Sequence, residues 1–140
     1  MKAADIHHVF VVGAGTMGQQ IALQCAMHGC DVNLYDLAPD ALQAARTRIE
    51  GYAAQLVGRQ RLTEAASRQA LSRIRYTTQP EAAATADLLS ESVPEDPELK
   101  GRVFAQFNAI CTPRTIFTTD TSTLLPSMFA AATGRPAAFA

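Results

Sequence analysis

Between residues 13 and 18 the chain reads Gly13-Ala14-Gly15-Thr16-Met17-Gly18, and a lone carboxylate, Asp36, follows eighteen residues after the last glycine. Glycines at the first, third and sixth places of such a loop meet separate needs. Gly13 permits a tight turn, and Gly15 lets the backbone come close to a diphosphate. Gly18 lets a helix pack closely on a sheet while its free N–H groups face the anion. Thr16 and Met17 belong to the same helix start. The chemistry this implies is the binding of a dinucleotide, with Asp36 accepting hydrogen bonds from the adenosine ribose hydroxyls. A 2′-phosphate beside Asp36 would meet like-charge repulsion. Leu37 and Ala38 bring no cation, and the nearest downstream arginine, Arg46, lies inside the next helix, so NAD is expected rather than NADP.

Other reactive patterns are missing. His7, His8 and His28 have no serine, cysteine or paired acid at a catalytic spacing. There is no GxSxG elbow, no HExxH and no Cys/His cluster with zinc spacing, so hydrolase and metal chemistry lack support and no metal site is expected. Residues 46–75 carry Arg46, Arg48, Arg59, Arg61, Arg68, Arg73 and Arg75 against only Glu50 and Glu64. That surface suits a phosphorylated substrate such as a coenzyme A thioester, or is simply a solvated helix face.

The elements that must position these residues follow from periodicity. His8 to Val12 is a continuous apolar run, suited to a strand buried on both faces. A helix from Thr16 to His28 follows, then a strand Val32–Tyr35 ending at Asp36. Pro39 opens a helix that stops at Gly58, and Thr63 caps a second helix before the strand Ile74–Thr77, so residues 38–73 form a helical hairpin longer than a βαβ crossover requires. Residues 87–93 read as a fourth strand, Asp96-Pro97 as the start of a helix, and Thr115–Thr119 as a fifth strand. A short helix is expected over 126–132, and Ala137 to Ala140 read as the opening of a sixth strand in a chain that continues. Strands alternating with helices predict an α/β domain with a mostly parallel sheet.

Composition narrows the classes further. The 140 residues are 48% hydrophobic and 18% charged, and 12 Lys plus Arg against 13 Asp plus Glu leave a net charge of −1. No field draws the protein to nucleic acid, and no apolar run nears the length of a membrane span. Cys25, Cys30 and Cys111 form no CxxC pair and no closed disulfide set, which fits reduced thiols. The first ten residues lack a secretory pattern, so a cytoplasmic location is expected.

The glycine loop, Tyr35-Asp36, the helical hairpin, the run from Asp87 to Glu95, Lys100, and Thr119-Asp120-Thr121-Ser122-Thr123-Leu124 together resemble the NAD-binding domain of the 3-hydroxyacyl-CoA dehydrogenases, over essentially the whole chain. The resemblance implies a Rossmann-type, doubly wound sheet with the hairpin inserted after the second strand. It implies that Glu95 and Lys100 contact the nicotinamide half of NAD, that Ser122 lies between the nicotinamide and the substrate hydroxyl, and that Arg59 holds coenzyme A phosphates. The family's catalytic histidine, paired with a glutamate, falls beyond residue 140, as does the helical domain that forms the homodimer. This chain alone is therefore expected to bind without turnover. Gln20 stands where the family has glycine and Asp120 where it has asparagine beside the substrate. Ser90 and Ser92 replace apolar residues, read as tolerated near the exposed end of their strand. Asp120 keeps open a dehydrogenase for another small hydroxy acid or sugar acid, and a non-catalytic NAD-binding module is a third possibility.

Overall fold

The computed structural model describes residues 2–140. Five parallel strands, β1 (His8–Val12), β2 (Asp31–Tyr35), β3 (Ile74–Thr77), β4 (Leu88–Glu91) and β5 (Ile116–Thr119), form one sheet in the order β3-β2-β1-β4-β5. Between them run α1 (Thr16–Met27), α2 (Pro39–Gly58), α3 (Glu64–Ser72) and α4 (Pro97–Ile110). The α2–α3 hairpin lies where the spacing predicts it, with the Thr63 hydroxyl accepting the Ala66 N–H at 3.1 Å. Asp96 caps α4 through the Leu99 N–H at 2.7 Å.

The apolar run of β1 is buried on both sides because its side chains alternate between two cores. Val9 and Val11 join Val32 and Leu34 under α1, α2 and α3, where the helices contribute Ala22, Ala26, Ala45, Ile49, Ala53 and Ala70. Phe10 and Val12 join Tyr35 and Leu89 under α4, with Phe104, Phe107, Phe117 and Phe129. The second core is built on rings: Phe104 lies 5.7 Å from Phe117, 5.8 Å from Phe129 and 5.1 Å from Phe139 between centroids.

Three expectations change. The strand read over 87–93 is paired only from Leu88 to Glu91, because the Glu91 side chain turns back to accept the Val93 N–H at 2.6 Å and redirects the chain. The helix read over 126–132 is two 3-10 turns, Pro126–Met128 and Ala131–Thr133. Its apolar anchor is Phe129, which breaks the helical phase by inserting among the rings, Thr133 is buried at the end of the second turn, and Gly134 then leaves at φ 67°. At the end of the chain, Pro136–Ala138 is a 3-10 turn and strand pairing starts only at Phe139, which bridges Phe117.

Two contacts hold the carboxyl edge of the sheet. At Gly18 an added Cβ would sit 1.9 Å from the Gly13 carbonyl oxygen, and at Gly13, where φ is 108°, it would sit 2.6 Å from the Ser92 carbonyl oxygen. Behind them the buried Lys100 of α4 donates to both carboxylate oxygens of buried Glu91, at 2.8 and 2.9 Å, and to the Val93 carbonyl at 3.3 Å. Thr119 of β5 donates to the same carboxylate at 2.7 Å. Glu91 thus joins β4, β5 and α4. Removing one partner of such a pair leaves a buried charge uncompensated. In urea titrations, Lys100→Met is expected to cost about 3–5 kcal/mol, and Glu91→Gln added to it should recover part of the loss. Gly18→Ala is expected to cost about 3 kcal/mol, because backbone must move to admit the methyl group.

Candidate functional site

A cavity of about 820 Å³ runs along the carboxyl ends of the strands, from Asp36 and Leu37 after β2, past the glycine loop, to Asp120 and Ser122 after β5. This is where an open α/β sheet presents its ligand crevice, at the point where chain order reverses on either side of β1.

The loop after β1 is fixed by backbone bonds. The Gly13 N–H donates to the Tyr35 carbonyl at 2.8 Å, and the Ser92 N–H donates to the Val12 carbonyl at 2.8 Å. Gly13, Gly15, Thr16 and Met17 line the cavity, whereas Gly18 lies against the Gly13 carbonyl and does the packing. Gly15 is the N-cap of α1 and offers no side-chain cap, so the N–H groups of the first turn stay available. A Cβ on Gly15 would meet no protein atom within 4 Å, so the protein itself does not restrict size there. A loop of free N–H groups with a bare position at its centre fits a diphosphate. Gln19, buried at 1% exposure, donates from Nε2 to the Ala14 carbonyl at 2.8 Å and braces the loop from within the helix. The Gln20 side chain points out of the core and is exposed, so the glycine that the family has there is replaced without crowding.

Asp36 fastens the end of β2 to that loop. Its Oδ2 accepts the Ala14 N–H at 2.9 Å and its Oδ1 accepts the Ala38 N–H at 3.0 Å. Each carboxylate oxygen keeps a second acceptor site for a hydroxyl on the cavity side. The Arg46 guanidinium is stacked 4.7 Å above the Tyr76 ring, away from this end. The cation that does reach the cavity is Arg48, on the face of α2 that also presents Ala41 and Ala44. Arg48 makes no ion pair with Asp36 among the described residues, so the expected repulsion of a 2′-phosphate stands, and the helical spacing 41, 44, 48, on the flank beside the buried 42, 45 and 49, puts the three on one face.

At the other end Glu95, Asp120 and Ser122 line the wall. Glu95 is held by the Thr121 hydroxyl and by the Thr123 hydroxyl at 3.1 Å, with Lys100 at 3.7 Å. Those hydroxyls, Thr121 first, and then the Lys100 charge keep its carboxyl below the usual glutamate range. Lys100 itself is not in the lining: it is wholly buried behind Glu95, with its ammonium donating to Glu91. Arg59 also lies outside the cavity, exposed at the C-cap of α2. Ser90 is not at an exposed strand end. It is 6% exposed, paired between Val11 and Thr118, because β4 is an interior strand. Ser92 lines the cavity with its hydroxyl buried and without a partner among the described residues.

Sequence reasoning missed Arg48, Gln19 and the Glu91 network. A glutamate inside an apolar strand run was the visible sign of the last, since a buried carboxylate needs a cation. Among the described residues no group of three His, Cys, Asp or Glu side chains is placed to hold a metal ion. Burial pushes the Cys111 thiol up to about 11, and it raises Cys25 and Cys30 as well, so none of the three is an activated nucleophile at neutral pH.

Residues 8–140 match the family model described as 3-hydroxyacyl-CoA dehydrogenase, NAD binding domain. A 3-hydroxybutyryl-CoA dehydrogenase of Bradyrhizobium diazoefficiens is 39% identical over 137 residues, which is 98% of this chain and 47% of the relative. Among solved structures, 3-hydroxybutyryl-CoA dehydrogenase from Escherichia coli superposes with a TM-score of 0.91 at 36% identity, over 96% of this chain and 28% of that one. A diketoreductase described by its dual catalysis of dicarbonyl compounds superposes with a TM-score of 0.88 at 41% identity, over 96% of this chain and 48% of that one. The chain thus spans about half, or less, of the length of these proteins. The glycine loop, the carboxylate after β2 and the sheet order agree with the family match along the whole described fold, and the chain belongs to the 3-hydroxyacyl-CoA dehydrogenase family, as its NAD-binding domain.

Proposed function

We propose that this chain is the cofactor-holding part of an oxidoreductase that oxidises a (3S)-3-hydroxyacyl-CoA to the 3-oxoacyl-CoA. The observation that carries the reading is the single cavity shared by the glycine loop, Asp36 and Ser122. In this reading NAD, when bound, supplies the hydride acceptor. The loop N–H groups hold its diphosphate, Asp36 its adenosine ribose, and Glu95 the carboxamide of its nicotinamide, while Ser122 orients the substrate hydroxyl. Arg59 receives a coenzyme A phosphate on the exposed hairpin, outside the cavity proper. No histidine lines the cavity among the described residues. In this reading the base that removes the hydroxyl proton is a histidine, paired with a glutamate, just beyond the strand that begins near Ala137, and a separate helical domain completes the acyl site and forms a homodimer in the cytoplasm. By itself the chain binds and does not turn over.

A second reading, a dehydrogenase for another small hydroxy acid, is favoured by one observation: the Asp120 carboxylate lines the wall beside Ser122. Coenzyme A binding separates the two. Calorimetric titration of the chain with coenzyme A should give binding that Arg59→Ala weakens about tenfold without changing the affinity for NADH. Loss of both affinities would mean misfolding, and no coenzyme A binding would favour the second reading.

The cofactor assignment has its own test. NADH should bind at least about tenfold more tightly than NADPH. Asp36→Ala should weaken NADH by about ten- to a hundredfold and narrow its advantage over NADPH, since charged hydrogen bonds are each worth about 1.5–3 kcal/mol. Gly15→Ala should leave the melting temperature unchanged while weakening NADH, because only a ligand meets the added methyl group. Equal affinities in wild type and Gly15→Ala would place the diphosphate elsewhere.

A further inference from the structure

The strand order fixes which half of a dinucleotide meets which part of the wall. With the diphosphate at the loop after β1 and one ribose at Asp36 after β2, the other half must extend across β4 toward β5. There the wall carries Glu95 and Asp120, and among the described residues no lysine or arginine lines it. Lys100 lies behind it and is committed to Glu91, and Arg48 stands at the opposite end on α2.

Asp120 differs from its neighbours in this acidic end. Its backbone N–H donates to the Glu91 carbonyl at 3.2 Å, which fixes its position at the end of β5. The flanking hydroxyls are already used, Thr119 on Glu91 and Thr121 on Glu95. The Asp120 carboxylate is left without a hydrogen bond or ion pair among the described residues, so its charge is not neutralised locally. The four ionisable groups here, Glu91, Glu95, Asp120 and Lys100, sum to a net negative field over the cavity.

A nicotinamide ring is cationic when oxidised and neutral when reduced. A fixed carboxylate beside it stabilises one form and not the other. We propose that Asp120 sets the oxidation-state preference of this site, strengthening the binding of NAD⁺ relative to NADH. The proposal rests on the reading that the cavity takes NAD in the orientation above, and it goes beyond that reading by assigning a function to a side chain that need not touch substrate. A site biased in this way is loaded with NAD⁺ in preference to NADH and releases NADH more readily, while by linkage the bound ring becomes a weaker hydride acceptor.

The test uses three ligands on wild type and on Asp120→Asn, which is nearly isosteric and so keeps the fold. NAD⁺, NADH and ADP-ribose are titrated calorimetrically at low ionic strength. Asp120→Asn is expected to lower the ratio of NAD⁺ to NADH affinity by about three- to tenfold, with ADP-ribose binding unchanged, and Asp120→Glu to keep most of the wild-type ratio. An unchanged ratio, or an equal loss for all three ligands, overturns the proposal. Failure of wild type to bind ADP-ribose overturns the underlying cofactor reading, and the proposal with it, and is seen before any variant is compared.

Discussion

The approach of α1 to the Gly13 carbonyl constrains most of what surrounds it. Because Gly18 has no Cβ, the first turn of α1 sits against the end of β1, and its uncapped N–H groups open onto the cavity. That placement needs Gly13 to adopt a left-handed conformation and to lie under the Ser92 carbonyl, which brings the end of β4 alongside. Asp36 then reaches the Ala14 N–H from β2. Three strand ends are brought together by contacts that no larger residue at 13 or 18 would permit, and the anion-binding character of the loop follows from that packing.

The opposite side of the cavity depends on charge instead of close approach. Glu91 is a buried carboxylate at the end of an interior strand, and its acceptor sites are filled by Lys100, Thr119 and the Val93 N–H. The pair stiffens β4, β5 and α4 against one another, so that Glu95, Asp120 and Ser122 project from a fixed frame. Burying such a pair is not in itself a gain in stability, but it specifies one arrangement, since a shift of α4 would strand both charges.

The fold was legible in the sequence wherever one rule governed. The apolar run of β1, the proline and glycine punctuation of α2, and the caps at Thr63 and Asp96 each had one physical reading, and the structure places those elements where the spacing puts them. The carboxyl-terminal third was less legible. At Phe129 a single ring seeking its core overrides a local pattern of alanines that would otherwise extend a helix. In the site, the glycines and Asp36 were readable because backbone geometry and ribose recognition demand those residue types. The place of Lys100 behind the wall was not readable, because its spacing to Glu95 says nothing about Glu91, which lies closer to it in space. Arg48 was overlooked because the spacing 41, 44, 48 shows which residues share a face of α2 but not that this face meets the cavity.

The two cores differ in texture. Phe104, Phe117, Phe129 and Phe139 interlock behind β4 and β5, with rings tilted at angles from 17° to 71° to one another. On the other face, α1, α2 and α3 meet largely through Ala22, Ala26, Ala45, Ala53 and Ala70. Interlocked rings resist sliding because each displacement forces many atoms past one another, whereas a surface of methyl groups is smooth. The aromatic side is therefore mechanically stiff and the alanine side has low corrugation.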